Sequence, residues 1–220
     1  MKKPKVFIAC DTTNLVKVKK IIKQTQSTKI KIGYKFGLEF MNSKNGRQFI
    51  SRLKNKIIFI DLKLNDTVNT MLSAVKALKD LKINYLTVHI SSGFLALKAV
   101  KKVSGSIKII GVTTLTSLNN NDLKLIGYNK SVKNLVIHQA KLARRANLDA
   151  LVCSPYEVND VRKIFKKEII TPGVQIGKRN YDQKRSMEAK KVMSDWLVIG
   201  RAITRGNIKK NIQKLSQKLS

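Results

Sequence analysis

The sequence predicts an α/β fold, a (β/α)8 barrel in a single compact domain spanning residues 1–220, and two observations carry that expectation. Apolar, β-branched runs recur at 6–9, 30–36, 57–60, 85–90, 107–112, 150–153, 169–174 and 196–199. Stretches of helical character lie between them. A parallel strand covered by helices on its outer face and packed inside a barrel must be apolar at successive positions, not only at alternate ones. Strand–helix alternation repeated through a chain of this length leaves little room for insertions.

Taken in order, the first run ends at Asp11 and leads into a helix over 15–22. The second carries Lys35 near its end and precedes a helix over 46–53. The third is followed at once by Asp61-Leu62-Lys63-Leu64-Asn65-Asp66, then by an amphipathic helix over 67–81 with Met71, Leu72, Val75, Leu78 and Leu81 at helical spacing. His89 lies near the end of the fourth run, before a helix over 94–103. After the fifth run come Thr113 to Ser117 and a helix over 132–146; after the sixth, a helix over 158–165. Gly200-Arg201 closes the eighth, before a helix over 208–219. Two polar segments, 117–129 and 175–186, are long enough to be mobile loops over the strand ends. Pro4, Pro155 and Pro172 all fall near strand ends, and no Pro/Gly/Ser-rich linker breaks the alternation.

Lys and Arg number 45 against 13 Asp and Glu, a formal net charge of +32. Such a balance raises a nucleic-acid partner, since cationic surface supplies the non-specific phosphate-binding term. The lysines are instead spread over nearly every helix, at Lys17, Lys19, Lys20 and Lys23, at Lys98, Lys101 and Lys102, and at Lys209, Lys210, Lys214 and Lys218. They read as solvated outer faces. Without aromatic residues interleaved among them, no nucleic-acid partner is expected. The run before Asp11 is too short for a signal peptide or a membrane span, and the only cysteines, Cys10 and Cys153, sit in apolar runs without metal-ligand spacing. A cytoplasmic protein with two buried thiols and no membrane partner is the expectation.

Acids are scarce, so two within six positions bracketing a Lys need a reason. Asp61 and Lys63 are two apart, and a strand continuing through them puts both side chains on one face. Asp11, Lys35, Asp61, Lys63, Asp66 and His89 would converge with Thr113 to Ser117 and Gly200-Arg201 on the carboxyl ends of the strands, where α/β barrels keep their chemistry. Ammoniums set between carboxylates stay protonated. Gly200 permits close backbone approach and Arg201 offers a fork of donors, a pairing suited to phosphate after the last strand. His89 reads as a satisfied polar residue under the rim, His138 as structural or exposed, and Trp196 as packing.

With these residues in place, Asp61-x-Lys63-x-x-Asp66-x-x-Asn69-Thr70 resembles the orotidine 5'-phosphate decarboxylase family. So do Lys35-Phe36-Gly37 upstream, and Val88-His89, Leu115-Thr116-Ser117, Thr171-Pro172-Gly173, Asp182-Gln183 and Val198-Ile199-Gly200-Arg201 downstream. The matches run in order through nearly the whole chain. Two departures stand out: Thr67-Val68 where the family usually has Ile-Pro, and Gln175 where bacterial relatives usually carry Arg. The segment from Gln183 to Gly200 is also a few residues short.

The resemblance implies a cofactor-free, metal-free decarboxylation of orotidine 5'-phosphate to UMP and CO2. Asp11 would bind the ribose hydroxyls, and Lys35, Asp61, Lys63 and Asp66 would form a charged tetrad in which Lys63 stabilises and protonates C6. Asp66 and Thr70 would enter the partner's site of a homodimer. Thr116 and Ser117 would cover the pyrimidine edge, and Gln183, Gly200 and Arg201 would hold the 5'-phosphate. Metal-dependent sugar-phosphate lyases resemble this chain in the Asp-x-Lys-x-x-Asp element; Leu115-Thr116-Ser117, Asn69-Thr70 and Asp182-Gln183 favour the decarboxylase.

Overall fold

Eight parallel strands close into a barrel in a computed structural model that describes residues 5–26, 29–175, 187–188 and 192–219. The staves are β1 (Lys5–Ala9), β2 (Ile32–Gly37), β3 (Ile57–Leu64), β4 (Tyr85–His89), β5 (Lys108–Val112), β6 (Ala150–Val152), β7 (Glu168–Thr171) and β10 (Trp196–Ile199). A separate two-residue pairing joins β8 (Val174–Gln175) to β9 (Met187–Glu188). Each stave pairs with its neighbour in sequence, and β1 closes the ring against β10 through Lys5↔Trp196 to Ile8↔Ile199. The longer outer helices are α1 (Leu15–Thr25), α3 (Gly46–Arg52), α4 (Val68–Ala77), α5 (Phe94–Val103), α7 (Val132–Arg145), α8 (Val158–Ile164) and α10 (Ile208–Leu219). Three short helices, α2 (Leu38–Met41), α6 (Asn120–Leu125) and α9 (Arg201–Thr204), follow strand ends on the rim.

The continuous apolar runs arise because each strand is packed on two sides. Residues such as Val6, Ile8, Ile58, Ile60, Leu86, Ile109 and Leu197 join a large core with helix residues such as Val18, Ile21, Val75, Val100 and Val136. Their alternates Phe7, Phe59, Tyr85, Ile110, Ala150, Ile170 and Trp196 form a second cluster inside the barrel. Trp196 stacks on Phe7 at 4.0 Å between ring centroids, with Phe59 and Tyr85 edge-on to Phe7 at 5.0 and 5.3 Å. Burying each large side chain contributes roughly 2–3 kcal/mol. The remaining stave, β2, supplies Gly33, because a Cβ there would lie 2.6 Å from the Phe7 ring.

Below the rings, Glu168 accepts hydrogen bonds from Lys5 Nζ (2.9 Å), Trp196 Nε1 (3.2 Å), Tyr85 Oη (2.8 Å) and Lys108 Nζ (3.1 Å). Burial pushes its carboxyl up, but the bonds from Lys5, Tyr85 and Lys108 outweigh that and hold it at about 2. Trp196 is packing, as expected.

Several boundaries differ from the sequence expectation. The third strand does not end at Ile60 but runs to Leu64 through an irregularity, in which Ile60 pairs Leu86 and Leu64 pairs Val88. Three residues of β3 thus stand opposite one of β4. The segment 117–129 is not a bare loop: α6 forms inside it, because Asn119 and Asp122 make a reciprocal capping box and Asn120 accepts the Val132 N–H. The helix expected over 67–81 stops at Ala77, continues as a 3₁₀ turn at Lys79–Leu81 and ends at Lys82 in the left-handed region. Most of 175–186 lies outside the described residues. None of the described helices is long and apolar enough to cross a membrane.

Candidate active site

The barrel brings four charged side chains into one line at the carboxyl ends of β1, β2 and β3. Asp11 follows β1 by two positions, Lys35 sits late in β2, and Asp61 and Lys63 sit in the extended end of β3. Lys35 Nζ lies 3.2 Å from Asp11 Oδ1 and 3.2 Å from Asp61 Oδ2; Lys63 Nζ lies 3.0 Å from that same Asp61 oxygen. Charges therefore alternate along the contacts from Asp11 to Lys63, each ammonium meeting a carboxylate and both sharing one Asp61 oxygen.

Burial sorts the members. The Lys35 side chain is 12% exposed and that of Asp61 11%, whereas Lys63 keeps 35%. Burial alone pulls the Lys35 ammonium down, yet Asp61 and Asp11 outweigh it and leave it above its ordinary value. Burial pushes the Asp61 carboxyl up, and Lys35 and Lys63 outweigh that, holding it below the usual carboxylate range. His89 is lowered first by burial and then by the Lys63 charge, partly offset by Asp61, which keeps the imidazole neutral at physiological pH. Beside the cluster, burial and the Asp11 charge push the Cys10 thiol up to about 12, so it is no nucleophile.

Lys63 is held in an unusual backbone conformation, with φ at +50°. A non-glycine residue in the left-handed region costs of order 1 kcal/mol and persists where surrounding contacts enforce it. Here the irregularity in β3 removes the ladder partner of the Lys63 N–H, which donates instead to Thr87 Oγ1 at 2.9 Å. The same hydroxyl donates to Asp61 Oδ1 at 2.9 Å.

Around this line the rim is built from backbone and small residues. Gly37 and Gly200 flank Asp11; a Cβ at Gly37 would sit 3.6 Å from both Asp11 Oδ1 and Lys35 Nζ, and one at Gly200 would sit 4.0 Å from Asp11 Oδ2. Arg201 follows as the first, exposed residue of α9. Thr116 and Ser117 occupy a turn closed by the Leu118 N–H on the Leu115 carbonyl (3.0 Å). That segment is anchored by Gln139 of α7, whose Oε1 accepts from the Thr114 N–H (2.8 Å) and Thr114 Oγ1 (3.2 Å).

Of the expected residues, Asp11, Lys35, Asp61 and Lys63 are brought together directly. Asp66 is not part of that line: it is exposed at the start of α4 and accepts the Thr67 N–H at 2.6 Å. Thr70, also exposed, shares a hydroxyl contact with Thr67 (3.0 Å). Gln183 lies outside the described residues. His138 is exposed on α7, as expected. Thr87 and Gln139 were not anticipated. For Gln139 a signal existed, a glutamine on the helix face otherwise formed by Leu135, Val136, Ala140 and Ala143; for Thr87 there was only its position two before His89. Among the described residues, no three His, Cys, Asp or Glu side chains gather as a metal-binding set.

Comparison with known proteins gives a consistent result. The sequence profile of the Orotidine 5'-phosphate decarboxylase / HUMPS family matches residues 4–214. The orotidine 5'-phosphate decarboxylase of Wolbachia pipientis subsp. Culex pipiens is 40% identical over 209 residues, covering 90% of this chain and 91% of that protein. That of Ehrlichia canis is 41% identical over 179 residues, 77% of this chain and 78% of that protein. The crystal structure of orotidine 5'-phosphate decarboxylase from Lactobacillus acidophilus superposes with a TM-score of 0.84 at 27% identity over 100% of both chains.

Proposed function

The chain belongs to the orotidine 5'-phosphate decarboxylase / HUMPS family, and on that premise we propose how its residues carry out the reaction. The enzyme is a carboxy-lyase of pyrimidine biosynthesis that removes CO2 from orotidine 5'-phosphate. The reading beyond that rests chiefly on one observation, the alternating line Asp11–Lys35–Asp61–Lys63, whose middle pair is buried and whose two ends, the Asp11 carboxylate and the Lys63 ammonium, are accessible.

Breaking the bond between C6 and the carboxylate leaves an electron pair on C6 with no adjacent sink. A fixed cation is the stabiliser such a site needs, and no cofactor is called for. The Lys63 ammonium faces C6, offsets the developing charge, then donates its proton to that carbon, giving UMP. Asp61 orients Lys63, and Lys35 screens Asp61 from behind. Asp11 takes the ribose hydroxyls, Thr116 and Ser117 meet the pyrimidine edge, and Gly200, Arg201 and Gln183 bind the 5'-phosphate, whose remote contacts close the site.

The active form is a homodimer in which Asp66 and Thr70 complete the partner's site. Supporting this, both stand exposed and away from their own chain's cluster, and Leu38, Leu95, Leu125 and Ile126 leave large apolar side chains exposed on α2, α5 and the end of α6, near strand ends. The two buried, unbridged thiols suit a reducing cytoplasm.

The test follows ultraviolet absorbance as purified protein meets orotidine 5'-phosphate, with and without EDTA, alongside a Lys63→Ala variant. Turnover that persists in chelator and vanishes in the variant, with substrate still bound, supports the assignment; an unchanged rate in the variant refutes the role of Lys63. Turnover of keto-sugar phosphates with Mg2+ instead would move the chain to the metal-dependent lyases.

A further inference from the structure

We infer that Thr87 is a positioning residue for the decarboxylation, acting through Asp61 and Lys63 without touching substrate; the inference rests on the role proposed for Lys63. Its side chain lies on the neighbouring strand, fully buried, at the one β4 residue that faces three residues of β3. A threonine hydroxyl has one hydrogen to give and lone pairs to receive with. Here the hydrogen goes to Asp61 Oδ1 and the Lys63 N–H comes in, both at 2.9 Å.

These two bonds do different work. Asp61 Oδ2 already accepts both ammoniums, so the bond to Oδ1 fixes the carboxylate plane and with it the direction in which Oδ2 presents Lys63. The bond from the Lys63 N–H replaces the ladder contact that the irregularity removes. It holds the left-handed backbone from which the Lys63 side chain reaches back to Asp61. Without the hydroxyl, a partly buried N–H and one carboxylate oxygen both lose the partner they have here, and the local backbone gains from relaxing toward an ordinary strand. The ammonium then moves off its line. An error of about 1 Å at a catalytic group costs on the order of 100-fold in rate.

The experiment compares wild type with Thr87→Val, which keeps the volume and removes the hydroxyl, and with Thr87→Ser, which keeps the hydroxyl and removes the methyl. Expected are a 10- to 100-fold loss of kcat in Thr87→Val with KM within about twofold, and kcat within about threefold of wild type in Thr87→Ser. A crystal structure of Thr87→Val should show Lys63 displaced from Asp61 and its φ relaxed. Thr87→Ala serves in the same role if the valine variant does not fold. Wild-type kcat in the hydroxyl-free variant, or an equal loss in Thr87→Ser, overturns the inference, since packing of the methyl would then be what matters. Absence of turnover in wild type would fail the decarboxylase reading instead; the variant's structure still decides the positioning, an undisturbed Lys63 refuting it.

Discussion

The barrel holds a charged cluster at each end, and the two are wired for different ends. At the amino ends of the strands one carboxylate, Glu168, collects Lys5, Lys108, Tyr85 and Trp196 under a layer of stacked rings. Every donor there points inward at a single acceptor, and Lys5 and Lys108 also lie over the faces of Trp196 and Tyr85 at 4.8 and 5.2 Å. At the carboxyl ends, four charges alternate in a line that stops at an ammonium with room beside it, on a backbone in the left-handed region. In the first arrangement the donors converge on one carboxylate that is only 20% exposed, although Lys108 itself keeps 48%; in the second the chain of contacts ends at an accessible ammonium on a left-handed backbone. The contrast matches the division of labour in these barrels, with stability at the amino face and chemistry at the carboxyl face.

The contrast predicts that mutations at the two ends separate activity from stability. The largest effect is expected from Lys63→Ala, which under the proposed mechanism removes both charge stabilisation and proton transfer and should lower kcat by roughly 10⁴-fold or more, with little change in Tm. Next is Glu168→Gln, measured by urea unfolding. The Glu168 carboxyl is held at about 2 in the folded protein against an ordinary 4.5. A depressed folded value gives stability that is present above the unfolded one and is lost as pH falls from about 4.5 toward 2. Wild type should therefore lose roughly 2–3 kcal/mol across that window, while Glu168→Gln should lack that component, start less stable at pH 7, and keep kcat.

Smaller effects sharpen the boundary between the ends. Gly33→Ala would place a methyl against the Phe7 ring and should cost about 1–3 kcal/mol of stability, read as a lowered Tm, with KM unchanged. Gln139→Leu, which removes the anchor of Thr114, should raise KM for orotidine 5'-phosphate severalfold and cost about 1 kcal/mol. An equal loss of kcat in Gly33→Ala would mean that the ring layer and the rim are coupled, and the comparison would weaken.

How far the sequence revealed these two ends differs for a physical reason. The staves were legible because burial on both sides demands uninterrupted apolar runs, and the rim was legible because Asp61-x-Lys63 and Gly200-Arg201 sit immediately after such runs. The bulge in β3 was not, because it depends on pairing with β4, and no local pattern marks Lys63 as left-handed. Glu168 was overlooked because Lys5 and Glu168 lie just before apolar runs and Lys108 near the start of one, and only barrel closure brings them together. Thr87 was hidden in the same way, since its two partners belong to the neighbouring strand. The capping box that turns 117–129 partly helical was present as Asn119 and Asp122 but was outweighed by the polar character of the segment.

The most direct test pairs kcat toward orotidine 5'-phosphate with Tm for Lys63→Ala and Glu168→Gln. A crossed result is predicted, with Lys63→Ala folded and inactive and Glu168→Gln active and less stable. If both variants lost activity and stability together, or if Lys63→Ala kept the wild-type rate, the division of the barrel into a stabilising end and a reactive one would be contradicted.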